Sequence, residues 1–184
     1  MILYHGSSIP NLTELKPHTS EHKEPYVYLS SDIVVAMLYT VHKIERPHNW
    51  FTYGFDENNI PVYTEYYPNA LADVYNGKKG YVYQCHKTED MSNPTDINCT
   101  YVCTKPVMID KCIVIDDVYK TLLEYEKSKH FIIRRFEVLS DKQPININAQ
   151  IKQEIINHGL LSTPESGYSK FIQDKFPEVW NAVK

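Results

Sequence analysis

Glycine is scarce, with 6 residues in 184, and they are spread too thinly to build a phosphate loop. No G-x-G-x-x-G and no Walker sequence occurs, so nucleotide binding through a glycine-rich cradle is excluded. Cysteine is limited to Cys85, Cys99, Cys103 and Cys112, whose spacings contain no C-x-x-C, so a zinc site is only weakly supported, with Cys85-His86 a chance pair of ligand types. No H-E-x-x-H and no carboxylate cluster points to a metal-dependent hydrolase, and we expect no metal. Basic residues form no stripe: 19 Lys and Arg face 23 Asp and Glu, a formal charge of −4, which disfavours extended nucleic-acid binding. No apolar run approaches a membrane span and no signal-peptide pattern is visible, so the expectation is a cytoplasmic protein with reduced thiols and no membrane partner.

What is abundant is tyrosine, 15 against 6 Phe. A ring with a polar tip suits half-buried strand positions and equally suits clefts. The chain is 42 % hydrophobic and 23 % charged, the composition of a globular domain long enough to fold without staples.

The spacing predicts an α+β domain over residues 1–184. A strand over Met1–Tyr4 runs into the turn His5-Gly6-Ser7-Ser8, and residues 17–25 read as an exposed loop. Tyr26–Leu29 is strand-like, and Ser30-Ser31-Asp32 caps a helix over Ile33–Ile44. Two strands joined by Asp56-Glu57-Asn58-Asn59 account for the aromatics from Trp50 to Tyr67, and Pro68–Tyr75 reads as a short helix stopped by Asn76-Gly77. Strands follow over Gly80–Cys85, Tyr101–Val114 (interrupted by Pro106) and Phe131–Phe136, with a helix over Val118–Lys129 between the last two. Helices over Ile147–Asn157 and Tyr168–Val183 complete a helical C-terminus, which we expect to pack on the sheet from about residue 141.

The order Leu3-Tyr4-His5-Gly6-Ser7, then Val27-Tyr28-Leu29-Ser30, then Ala36 and Tyr39, resembles the ADP-ribosyltransferase superfamily. The likeness is to its poly(ADP-ribose) polymerase and diphtheria-toxin branch, and it covers about the first forty residues. The resemblance implies a split β-sheet core with flanking helices, and NAD as substrate. It implies that Tyr28 and Tyr39, eleven positions apart (39 − 28), grip nicotinamide between two rings, a geometry favourable for a flat aromatic amide. It implies that His5 holds a ribose, and that Gly6, and with it Ser7, binds the carboxamide where a side chain would obstruct close approach. Each of His5, Tyr28 and Tyr39 taken alone also fits a structural role, since such residues are mostly satisfied inside the fold.

Catalytic members of that superfamily carry a glutamate opening a later strand, whose carboxylate stabilises the positive charge that develops as nicotinamide leaves. The matching strand here, Tyr101–Val107, contains no acid, and Thr104 or Lys105 stands at the expected place. Glu65, and Glu89 with its loop neighbours Asp90 and Asp96, are substitute candidates. The expectation is therefore a slow mono-ADP-ribosyltransferase or NAD glycohydrolase, with a non-catalytic NAD or ADP-ribose module as the alternative. An NAD-dependent RNA 2′-phosphotransferase ranks below both, because no basic phosphate-binding set can be assembled. The acceptor stays open between protein, nucleic acid and water.

Overall fold

The computed structural model describes residues 1–19, 24–41, 53–94, 97–136 and 147–184. Helix and strand are both abundant, with eleven strands and six α-helices among the described residues. No helix among them is long and apolar enough to cross a membrane. The chain divides into two compact units, one of Met1–His42 and Leu71–Phe131, the other of Lys43–Ala70 and Ile132–Lys184. Trp50, Phe51, Asp96, the expected helix end at Ile44 and the start of the helical segment at residue 141 lie outside the described residues.

The first unit holds β1 (Ile2–Ser7), β2 (Glu14–Leu15), β3 (His18–Thr19), β4 (Pro25–Ser30), α1 (Ile33–Leu38), most of α2 (Ala70–Tyr75), β7 (Gly80–His86), β8 (Thr100–Cys103), β9 (Val107–Met108), β10 (Lys111–Ile115) and α3 (Val118–Lys127). A six-stranded antiparallel sheet runs β10-β7-β1-β4-β3, with β8 also paired to β4, and β2 pairs with β9 as a separate ribbon. Period-two alternation sorts the sheet's faces. Leu3, Val27, Leu29, Tyr83, Cys85 and Cys103 point to one side and build a core with Leu15 and Val107 of the ribbon. The other side carries the helices. A β-carbon on Gly80 would stand 2.5 Å from Thr40 Cβ and 3.0 Å from Val118 Cγ2, so glycine is what lets that layer close on β7. The Tyr75 hydroxyl of α2 donates to the Leu38 carbonyl at 2.7 Å, satisfying an orphan carbonyl at the end of α1.

The second unit begins with the hairpin β5 (Tyr53–Phe55) and β6 (Pro61–Thr64), turned by Asp56 as the sequence predicts. The Asp56 carboxylate accepts from the amides of Ile60 (2.7 Å) and Asn58 (3.0 Å), and these bonds hold its pKa below the ordinary value. Strand β11 (Ile132–Arg134) pairs with β6 in parallel, Ile132 beside Val62. Helices α4 (Ile147–Asn157), α5 (Gly167–Lys175) and α6 (Pro177–Val183) follow, with Gly159 in the left-handed region (φ +59°) after α4.

Four elements differ from the sequence reading. Residues 17–25, read as an exposed loop, hold β3 and the first residue of β4, with His18 paired to Tyr26 and Thr19 to Pro25. The single helix expected over Tyr168–Val183 is two, because Pro177 offers no N–H and instead starts α6 at its first turn. Helix α1 stops at Leu38, where the Tyr39 and Thr40 amides bond the carbonyls three residues back and the Thr40 hydroxyl donates to the Met37 carbonyl. The strand expected over Tyr101–Val114 with an interruption at Pro106 is three strands, β8, β9 and β10, with a turn over Thr104 and Lys105 ahead of Pro106 parting the first two.

Candidate functional site

Strand β1 is registered against β7 along its whole length, from Ile2 beside His86 to Ser7 beside Tyr81. The Lys87 amide donates to the Met1 carbonyl at 2.9 Å, which fixes the phase: odd-numbered residues of β1 bond β7, and even-numbered ones turn their N–H and C=O to the other edge. On that edge Tyr4 pairs with Ser30 of β4. Continued by two residues, the register would set Gly6 opposite Tyr28 (4 + 2, 30 − 2), but no such pair forms. The backbone N–H and C=O of Gly6 therefore face a ladder that has stopped.

The imidazole of His5 spans the parting. Its Nδ1 lies 2.8 Å from the Tyr28 carbonyl. A carbonyl only accepts, so Nδ1 carries the proton. Burial lowers the His5 pKa below its ordinary value, more than the bond to Tyr28 raises it, and the nearby His18 lowers it further. At neutral pH the ring is uncharged, and Nε2 presents a lone pair. His5 and Tyr28 leave their strands on opposite sides, because Tyr28 follows the phase of Ser30 and Tyr4 while His5 follows that of Leu3. They meet through ring and backbone rather than ring and ring, and because the two side chains take opposite faces, the geometry at this pair favours a structural role for His5 over the resemblance.

Helix α1 supplies the other wall. Asp32 caps it, Oδ1 accepting from Val34 (2.7 Å) and Val35 (3.3 Å), and its own amide donates to the Ser30 hydroxyl at 3.0 Å. This chain of bonds ties the end of β4 to the start of α1. A β-carbon on Gly6 would fall 1.8 Å from the Ala36 carbonyl oxygen and 3.2 Å from the Tyr39 carbonyl carbon, so the close approach of β1 and α1 itself demands glycine. Gly6, Tyr28 and Tyr39 thus lie on the α1 side of the sheet. Tyr39 is 46 % exposed as the residue that caps α1, and Tyr28 is half-buried. The Ser7 hydroxyl accepts from the Ile9 amide at 3.1 Å, a local bond that ends β1.

Two rings beside Tyr28 were not singled out in the sequence. His18 on β3 pairs with Tyr26 on β4, and the rings of His18 and Tyr26 approach that of Tyr28 edgewise, with centroids 6.3 Å and 6.0 Å away. The signal was the alternation Tyr26-Val27-Tyr28, which sets both tyrosines on one face.

The candidates for the missing acid fall in both units. The strand beside β4 opens at Thr100, paired with Ser30, and carries Thr100, Tyr101, Val102 and Cys103. Thr104 and Lys105 follow it, and Lys105 reaches out to Asp90 at 3.4 Å. Glu89 is exposed in the turn after β7, beside the bond from the Thr88 hydroxyl to Asp90. Glu65 belongs to the second unit, buried after β6, where its amide donates to the Arg134 carbonyl (3.0 Å) and its carboxylate accepts from the Phe136 amide (3.4 Å).

No family model, no curated protein and no solved structure matches this chain.

Proposed function

We propose that this chain binds NAD at the parting of β1 from β4 and acts as an ADP-ribosyltransferase-like protein, a slow mono-ADP-ribosyltransferase or NAD glycohydrolase. One observation carries the reading. The β1–β4 ladder ends after Tyr4 and Ser30, so the backbone groups of Gly6 face the gap in the plane of the sheet, with Tyr28 and Tyr39 on the α1 side and His5 on the other. An amide donor and a carbonyl acceptor side by side complement a carboxamide, which offers one of each. The His5 ring, which leaves β1 on the side opposite Tyr28, reaches the gap through its bond to the Tyr28 carbonyl, and its Nε2 is an acceptor suited to a sugar hydroxyl. The parting of two central strands fits the split sheet of the superfamily.

A second reading, a binding module without turnover, is favoured by the absence of any acid from Thr100 to Lys105. The two separate on one experiment. Thermal melting with NAD at about 100 times its dissociation constant should raise stability by roughly 2.7 kcal/mol, and Tyr28→Ala should abolish the shift. Nicotinamide release from the same samples then assigns turnover or its absence. A melting curve unmoved by millimolar NAD, ADP-ribose and nicotinamide overturns both readings.

A further inference from the structure

Helices α4 and α6 pack on each other in the second unit and leave a groove of about 300 Å³ between them. Ala149 and Lys152 of α4 form one wall, Glu178 and Ala182 of α6 the other, and the buried Val179 its floor. Ala149, Lys152 and Ile156 recur at helical steps (149 + 3, 152 + 4), so they share one stripe of α4, and all three are exposed, Ile156 at 54 %. Glu178 and Ala182 repeat the spacing on α6 (178 + 4) and are exposed as well. The helices turn Ile151, Ile155 and Trp180 inward, which leaves this outer stripe available for a contact. Lys152 and Glu178 form no ion pair among the described residues. Both charges stand exposed at the rim rather than converging inside, so the groove lacks the placed polar groups of a small-molecule site.

We propose that this face joins two copies of the chain, α4 and α6 of one packing on α4 and α6 of the other about a two-fold axis. Such a contact requires a patch that complements itself. Here the patch holds each feature together with its counterpart. Ile156 projects, and the small side chains of Ala149 and Ala182 leave a recess. Lys152 charges the α4 wall positively and Glu178 the α6 wall negatively. The two-fold sets Lys152 of each copy against Glu178 of the other, so the pair is made twice. A foreign partner would have to supply both complements, whereas a second copy carries them already. The face is short, since the 11 residues of α4 span about 16 Å, and this places the contact among the weaker, reversible dimers. It is independent of the gap between β1 and β4, which belongs to the other unit.

Sedimentation velocity of the full chain, over a concentration series up to about 1 mM, tests it, and the wild-type protein should pass from monomer to dimer. Lys152→Glu and Glu178→Lys each set like charges against one another twice, and each should weaken dimerisation about ten-fold or more. The double variant restores opposite charges with the signs exchanged and should return to within about three-fold of wild type. Its recovery decides the matter even where one reversal disturbs a helix. A chain that stays monomeric at the highest concentration overturns the proposal. So does a dimer unmoved by both reversals, because another face would then hold it. Two single losses without recovery in the double variant overturn it too, since Lys152 and Glu178 would not then face each other.

Discussion

The ring of His5 donates from Nδ1 to the backbone carbonyl of Tyr28, 2.8 Å away, at the point where their strands cease to pair. A side chain thus satisfies a carbonyl that a sheet ladder would otherwise have satisfied. The same bond fixes the tautomer and leaves Nε2 as an acceptor.

That arrangement sets a pH dependence. The folded-state pKa of His5 lies below its ordinary value of 6.5, so the unfolded chain binds the proton first. Its contribution to stability is complete above about pH 6.5 and is lost as pH falls from there through the folded-state pKa. NAD affinity should fall over the same window, as Nε2 stops accepting. Melting curves and NAD titrations from pH 7.5 to 5, compared with His5→Gln, read both: the variant should be flatter in each. A wild-type profile identical to the variant's would remove His5 from the site.

Gly6→Ala should be severe even without ligand. The new β-carbon would meet the Ala36 carbonyl at 1.8 Å, and the obstacle is helix backbone rather than a yielding side chain. Overpacking typically destabilises by about 1–3 kcal/mol, and a clash against helix backbone belongs at the upper end. Urea denaturation measures it directly. A loss under about 1 kcal/mol would mean that α1 moves away from β1 freely.

Restoring an acid on the strand beside β4 should raise turnover. Thr100 opens β8 and pairs with Ser30, so Thr100→Glu places a carboxylate at the start of that strand, whereas Thr104→Glu and Lys105→Glu act from the turn after it. The stabilisation of a developing charge is typically worth about 10²–10³ in rate. We expect nicotinamide release to rise at least about ten-fold in Thr100→Glu and less in the other two. Brisk turnover by the wild-type chain, lost in Glu65→Gln or Glu89→Gln, would locate the acid elsewhere.

The thiols should separate by reactivity. Cys85 is 1 % exposed, and burial pushes its pKa up to about 11, while Cys112 is exposed on the edge strand β10. Iodoacetamide at pH 8 should label Cys112 readily in the native protein and Cys85 only after denaturation, as mass spectrometry of the peptides would report. Early labelling of Cys85 would show that β7 opens locally.

Much of this was legible in the chain. The turn at Asp56, the cap at Asp32 and the alternation of β7 depend on neighbours within a few residues, and local chemistry declared them. The early end of α1 did not, because Val41 and Ile44 continue the helical period while the Thr40 hydroxyl closes the last turn on Met37. The break at Phe176 is carried by Pro177, whose missing N–H suits the first turn of a new helix and not the interior of an old one. At the site, Gly6 was singled out as a place for ligand approach, and the structure adds a second demand from Ala36. The ring pair of His18 and Tyr26 depends on β3 lying beside β4 only eight positions on (26 − 18), where the polar composition of residues 17–25 reads as a loop.

The parallel pairing of β6 with β11 bears on how the protein is made. Val62 and Ile132 are neighbours separated by 70 positions of chain (132 − 62), and the residues between them belong mainly to the other unit. During synthesis the β5–β6 hairpin must wait, with an unpaired edge, until the strand that covers it has left the ribosome. Closing so long a loop is slow, and the hairpin is exposed to wrong partners meanwhile. The waiting strand Pro61-Val62-Tyr63-Thr64 is therefore where a chaperone would be most needed, and where crowded expression should first produce aggregates.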